Sequence, residues 1–238
     1  MSCTSVDEES SEVTTMLRSF KGSTGAFSRC NVVNMGTVSA TNWTNATREY
    51  VDLGLSVKWA SCNVGATTPT DYGDYFAWGE TTGYSADEQH SFYWDNYSLT
   101  SDGGSTFTAC TDANNNLLPA YDAATSNWGS AWRMPTKAEQ DELRTQCTWT
   151  WYGAGNNEYS GVIGYKVTGT NGNSIFLPAA GYCSDTQYIA GVYGAYWSTS
   201  LFESELGRAY VIEFASTNVD CNDAGRCIGL TVRPVLAE

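Results

Sequence analysis

The chain has 238 residues and a net charge of −14, from 26 acidic and 12 basic side chains; 16% of residues are charged and 13% aromatic. That length allows one large core, or one domain with a short appendage. The negative sign and the lack of a Lys/Arg cluster argue against a nucleic-acid ligand. The aromatic content argues against disorder, and no apolar run reaches the roughly 18 residues that a membrane-spanning helix needs.

Residues 1–20, MSCTSVDEESSEVTTMLRSF, are acidic and rich in Ser and Thr, and are expected to form a flexible tether. They lack the apolar stretch of a secretory signal. Either the protein stays inside the cell, or its export signal has been removed; abundant Tyr, Trp, Gly and Asn with little charge favours export. Cys3 fits the lipid-attachment cysteine of a bacterial lipoprotein, and equally a chance cysteine near a loose terminus. Residues 21–47 hold a strand-like piece, Asn31–Val38, read as the tail of a preceding β domain or as a docking strand. A boundary is expected near Thr47–Glu49, so that the main domain covers residues 48–238.

The main domain opens with a strand, a tight turn at Gly54 and a second strand over Tyr50–Ala60. Asp71–Thr111 is aromatic and turn-rich with little periodicity, which predicts a long ordered loop. A short helix is expected to start at Asp122-Ala123-Ala124. Thr136 and Glu139 form a T-x-x-E capping box, and Leu143 and Cys147 follow on the inner face, so the spacing predicts a helix over Lys137–Gln146. Thr148–Tyr152 alternates as a strand. Gly164–Leu177 reads as a hairpin turning at Asn171-Gly172, with Tyr165, Val167, Ile175 and Leu177 on the core face.

The closing stretch, Tyr193–Val235, interleaves two kinds of position. Tyr196, Trp197, Tyr210, Ile212, Phe214, Val219, Gly229, Val232 and Pro234 look like framework. Between them stand Leu201, Phe202, Glu203, Glu205, Val211, Glu213, Asp220, Asn222, Ala224, Ile228 and Leu230, which share no chemistry. Period-two alternation sets Tyr210, Ile212 and Phe214 on one face and Val211 and Glu213 on the other. Two readings stand: a binding surface on a fixed frame, or an ordinary half-buried hairpin with one solvated face.

Enzyme and metal signatures are sparse. Eight cysteines occur, none in a C-x-x-C pair, which excludes a zinc ribbon or a thioredoxin motif. Cys221 and Cys227 are close enough along the chain for a local bridge, while Cys62 and Cys147 read as buried free thiols. His90 is the only histidine and lies in a polar stretch, so it reads as a surface residue, and a multi-His metal site is excluded. No G-x-S-x-G elbow, P-loop or G-x-G-x-x-G is present. Asp71, Asp74 and Glu80 are the acids from which a glycoside-cleaving pair could be drawn. Asp112–Asn116 carries oxygen ligands at alternate positions like the start of an EF-hand, but Leu117 and Ala123 stand where the turn Gly and closing Glu belong. No cofactor is expected, and a structural calcium ion has no further support.

Taken in order, YVDLGLSVKWASCNVGA, DYGDYFAWGET, WGSAWRMPT, CTWTW, GNSIFLPAAG, YWSTS and LTVRPV resemble one family over residues 48–236. It is the Fibrobacter succinogenes major paralogous domain group of bacterial surface proteins. The resemblance implies an α+β, C-type lectin-like fold: short mixed or antiparallel sheets, one or two helices and long ordered loops. The last segment, ending in GLTVRP at Gly229–Pro234, is also similar to the variable proteins of diversity-generating retroelements. That similarity implies a ligand-binding face at Leu201, Phe202, Glu203, Glu205, Val211, Glu213, Asp220, Asn222, Ala224, Ile228 and Leu230. The Glu-Pro-Asn and Trp-Asn-Asp triplets of calcium-dependent lectins are missing, and Trp94-Asp95-Asn96 is only a scrambled echo.

The implied function is a non-enzymatic, adhesin-like recognition module, exported to the bacterial surface and binding a protein or glycan. The alternatives are a fixed-sequence surface or pilus-tip domain, a structural envelope domain, or a carbohydrate-active enzyme with its cleft at residues 71–97. A related fold includes the formylglycine-generating oxidases, whose cysteine context the chain does not match.

Overall fold

The computed structural model describes residues 48–237 except Gln89, Asn156 and Asn157, all within the unit Ser39–Glu238. The expected tether of residues 1–20, the strand-like piece of residues 21–47, Cys3 and Cys30 lie outside the described residues, and the expected boundary at 47–49 falls at their edge. In chain order come β1 (Tyr50–Val51), β2 (Trp59–Ala60), α1 (Ala123–Trp128), β3 (Trp132–Arg133), α2 (Lys137–Gln146), β4 (Thr148–Tyr152), β5 (Gly164–Thr168), β6 (Ser174–Pro178), β7 (Tyr182–Ser184), β8 (Gln187–Ile189), β9 (Tyr193–Leu201), β10 (Arg208–Ala215), β11 (Asn218–Gly225) and β12 (Val235–Leu236). They pair antiparallel in four small sheets, ordered β1-β2-β12-β3, β11-β10-β9, β4-β5-β6 and β7-β8. The architecture is mainly β, with few helices.

Local chemistry accounts for the elements that position the rest. At the start of α2, the Thr136 hydroxyl accepts from the Glu139 amide, and the Glu139 carboxylate accepts from the Thr136 amide at 2.7 Å. Two orphan donors are thereby satisfied at once. Asp122 caps α1, accepting from the Thr125 amide on one oxygen and from the Met134 amide on the other, so one buried carboxylate fixes both the helix and the approach to β3. Burial raises its pKa above the ordinary value despite those amides. The β5–β6 hairpin has the expected register, Tyr165 opposite Leu177 and Val167 opposite Ile175. Its turn takes positive φ at Gly172, and the Asn171 and Asn173 amides both reach the Asp52 carbonyl at 2.9 Å.

The β9–β10–β11 sheet carries an apolar cluster on each face. Val211, Ala209, Trp197 and Ala195 belong to one cluster, with Trp78 and Leu230; Ile212, Phe214 and Tyr196 belong to the other, with Leu143, Tyr165 and Val167. Alternation thus holds, but neither face of central β10 is solvated along its middle: Val211 and Ile212 are each 1% exposed. Gly194 is required where β9 crosses Phe214, because a Cβ there would sit 2.2 Å from the ring.

Three expectations are corrected. Tyr210 is half-buried rather than core, packed edge-on against Phe202 with the Lys137 ammonium 5.8 Å from its ring centroid. Cys221 and Cys227 are both free thiols, and Cys147 is only half-buried because it is the residue that ends α2. The loop expected over residues 71–111 is irregular in its described residues, with isolated bridges and one 3-10 turn at Trp94–Asn96, and its Tyr75, Phe76, Ala77 and Trp78 are buried in the core. Phe76 exchanges both backbone hydrogen bonds with Leu230, and two indoles stitch this segment to β9: Trp78 donates to the Ser198 carbonyl at 2.8 Å and Trp197 to the Phe76 carbonyl at 2.7 Å.

Candidate ligand-binding site

On one face of the closing sheet lies a hollow of about 280 Å³. The register that builds it sets Val211 opposite Asn222, Glu213 opposite Asp220 and Ala209 opposite Ala224, so these side chains share a face. Buried Val211 and Leu230 form the floor with Ala195, while half-buried Ala224 and Ile228 form a wall. Tyr182 and Tyr193, edge-on with centroids 6.2 Å apart, close one end. Arg208 and Asp223, joined by an ion pair, border the other.

Polar groups around the hollow are engaged with one another. The Tyr193 hydroxyl donates to one Glu213 oxygen, and the Asn222 amide donates to the other at 3.0 Å. Burial, together with the Glu213 carboxylate, pushes the Tyr193 phenol above its ordinary value, so it remains a donor at neutral pH. Beneath this region Arg226 is buried among Trp78, Tyr97 and Phe107, 4.6–5.4 Å from their ring centroids. Its guanidinium donates to the Tyr97 hydroxyl, the Leu206 carbonyl and the Cys110 sulfur. That cation–aromatic stack fixes the segment entering β10 and the segment leaving β11, at one end of the antiparallel pair.

Of the positions singled out from sequence, Val211, Glu213, Ala224, Ile228 and Leu230 converge on the hollow. Asp220 and Asn222 lie exposed further along the same face of β11. The other four do not line it. Leu201 is 8% exposed and packs in the core. Phe202 covers Tyr210. Glu203 and Glu205 are exposed on the β9–β10 connection, where Glu203 accepts from the Asn115 amide. Val211 and Leu230 are core side chains as much as surface ones, because the sheet is packed on both faces. Residues that the sequence reading missed are Tyr182, Tyr193, Ala195, Arg208, Asp223 and Gly225. Carrying the alternation of Trp197 back along β9 would have found Ala195 and Tyr193; nothing local marks Tyr182.

Comparison with protein-family models, with curated proteins and with solved structures gives no match for the chain.

Of the acids considered for glycoside chemistry, Asp74 and Glu80 border different hollows. Asp71 is tied to the amides and hydroxyl of Thr67 and Thr68. Asp74 borders a separate hollow of about 490 Å³ with Arg48 and Trp128. Glu80 borders a third, of about 360 Å³, and its carboxylate accepts from the Ser98 amide at 2.6 Å. His90 borders that third hollow with its ring stacked 3.6 Å from Tyr84. Asp112 accepts from the amides of Asn114 and Asn116, which makes it the cap of a turn. Among the described residues no group of three or more His, Cys, Asp or Glu is placed to hold a metal ion, and no helix is long and apolar enough to cross a membrane. Burial pushes the thiols of Cys183 and Cys227 up to about 11 and, with Asp141, that of Cys221 to about 12. None of these three is a thiolate nucleophile at neutral pH.

Proposed function

We propose that this chain is a non-enzymatic, exported ligand-recognition module with a C-type lectin-like fold, a variable-protein relative within the Fibrobacter succinogenes major paralogous group. The observation that carries the reading is the convergence of Val211, Glu213, Ala224, Ile228 and Leu230 on one hollow. Small antiparallel sheets, few helices and long irregular segments support the fold assignment. Asp74 and Glu80 border different hollows, and Asp71 is engaged by Thr67 and Thr68; this supports recognition over glycoside chemistry, which needs two carboxylates flanking one bond.

Diversification in this reading is confined to the rim: Glu213, Asp220, Asn222, Ala224 and Ile228. Changes at Val211 or Leu230 would disturb a packed core, at a cost of about 2–5 kcal/mol for a large truncation. Deep sequencing of the segment encoding residues 196–234 across one bacterial population tests this. Substitutions are expected to concentrate at the rim positions, with Trp197, Phe214, Gly229 and Pro234 unchanged. A uniform sequence would reject the retroelement part and leave a fixed-specificity surface domain.

A further inference from the structure

We propose that the hollow on the β9–β10–β11 sheet takes one apolar side chain of a protein partner, and that Glu213 and Asp220 hold a Lys or Arg of the same partner beside it. This rests on the recognition reading and adds the class of ligand.

The first observation is chemical. The floor and walls are Ala195, Val211, Ala224, Ile228 and Leu230; Arg208 is paired with Asp223 and the Tyr193 hydroxyl is used on Glu213, which leaves at the edge a carboxylate that, among the described residues, lacks a cation rather than free donors. A sugar entering this hollow would bury hydroxyls against aliphatic carbon with few free partners, and each unsatisfied group costs about 1–3 kcal/mol. About 280 Å³ is also below the roughly 300–1,000 Å³ of small-molecule pockets, which suits a single side chain.

The second observation is what surrounds the hollow. Val192 is 66% exposed, Leu206 58% and Ile189 39%. Ile189 pairs with Tyr182, and Val192 precedes Tyr193, so both stand at the tyrosine end. Leu206 lies at the opposite end, two residues before Arg208. Exposed apolar residues at both ends of an apolar hollow fit an interface with a central anchor pocket.

Charge completes the choice of partner. Glu213 and Asp220 face each other directly across β10 and β11, an arrangement that is destabilising for like charges. They accept hydrogen bonds from Tyr193, Asn222 and Asn218, but neither forms an ion pair among the described residues. A partner ammonium or guanidinium would relieve that repulsion, and the chain's net charge of −14 steers basic partners toward it.

The test pans a phage-displayed library of random 12-residue peptides on the full chain and screens the same protein on a printed glycan array. Ala224→Trp, which fills the hollow, and Glu213→Gln are run in parallel. Enriched peptides are expected to share an apolar residue beside Lys or Arg, to lose about tenfold or more affinity for Ala224→Trp and up to about fivefold for Glu213→Gln. If Ala224→Trp does not fold, Asp220→Lys on the exposed edge strand carries the test, and basic peptides should lose binding to it. Acidic or purely polar consensus peptides overturn the proposal. Glycans that bind wild type but not Ala224→Trp overturn the partner class while leaving recognition at this site intact. Binding indifferent to every substitution, or no binding to either library, overturns the proposal and the recognition reading together.

Discussion

Arg233 is 1% exposed and, among the described residues, meets no carboxylate. Its guanidinium is satisfied instead by the Asn63 side-chain oxygen at 2.8 Å and by the carbonyls of Ala60, Ser61 and Phe176. Burial lowers its pKa, yet a guanidinium remains charged, and its planar fork reaches three chain segments at once. One residue of the GLTVRP ending therefore ties the end of β2, the loop after it and β6 to the closing segment. Arg233→Met would leave several buried acceptors unpaired, and the expected loss is about 3 kcal/mol or more. Urea unfolding checks it; a loss under about 1 kcal/mol would mean that water replaces the guanidinium.

At the scale of the element, α2 shows how one capping box couples to the fold. Glu139 is both the third helical residue and the partner of Arg133 on β3, at 2.6 Å. Burial pushes its carboxyl up, but Arg133 and the Thr136 amide outweigh this and hold it below its ordinary value of 4.5. A depressed folded-state pKa stabilises the protein above the unfolded value, and the contribution is lost as pH falls through the folded one. Glu139→Gln can still cap Thr136, but it removes the charge and turns the oxygen that faces Arg133 Nη2 into a donor. The stability gap between wild type and Glu139→Gln is expected to be full at pH 7 and to shrink below about pH 4.5. Thermal melts at pH 7, 4.5 and 3 read it, and a gap independent of pH would contradict the assignment.

For the whole molecule the decisive feature is a sheet shared by two cores. β10 gives Val211 to one cluster and Ile212 and Phe214 to the other, while α2 sits against β9, β10 and β11. Neither core survives loss of that sheet. Tryptophan fluorescence, reporting Trp78, Trp128, Trp132 and Trp197 in the first cluster and Trp59 in the second, and far-UV circular dichroism are expected to give coincident unfolding transitions over residues 48–237. Two separated fluorescence transitions would show that the clusters fold independently. The shared sheet also gives the hollow a floor, Val211 and Leu230, that is packed into the first cluster.

Much of this was written in local sequence. The Thr136–Glu139 box set the start of α2, Asn171-Gly172 set the hairpin register, and alternation sorted Val211 and Glu213 from Ile212 and Phe214, because capping, positive φ and the pleat act over a few residues. Tertiary structure decided the rest. Periodicity tells which side chains share a face but not whether that face is wet. A second apolar layer buried Val211, Leu201 and Leu230, which sequence alone had set on a surface. Tyr182 joined the site only because β7 packs beside the closing strands, bonded across Cys183 and Gly229. The roles of Arg226 and Arg233 depend on carbonyls and rings from distant segments, contacts made by packing and absent from any local pattern.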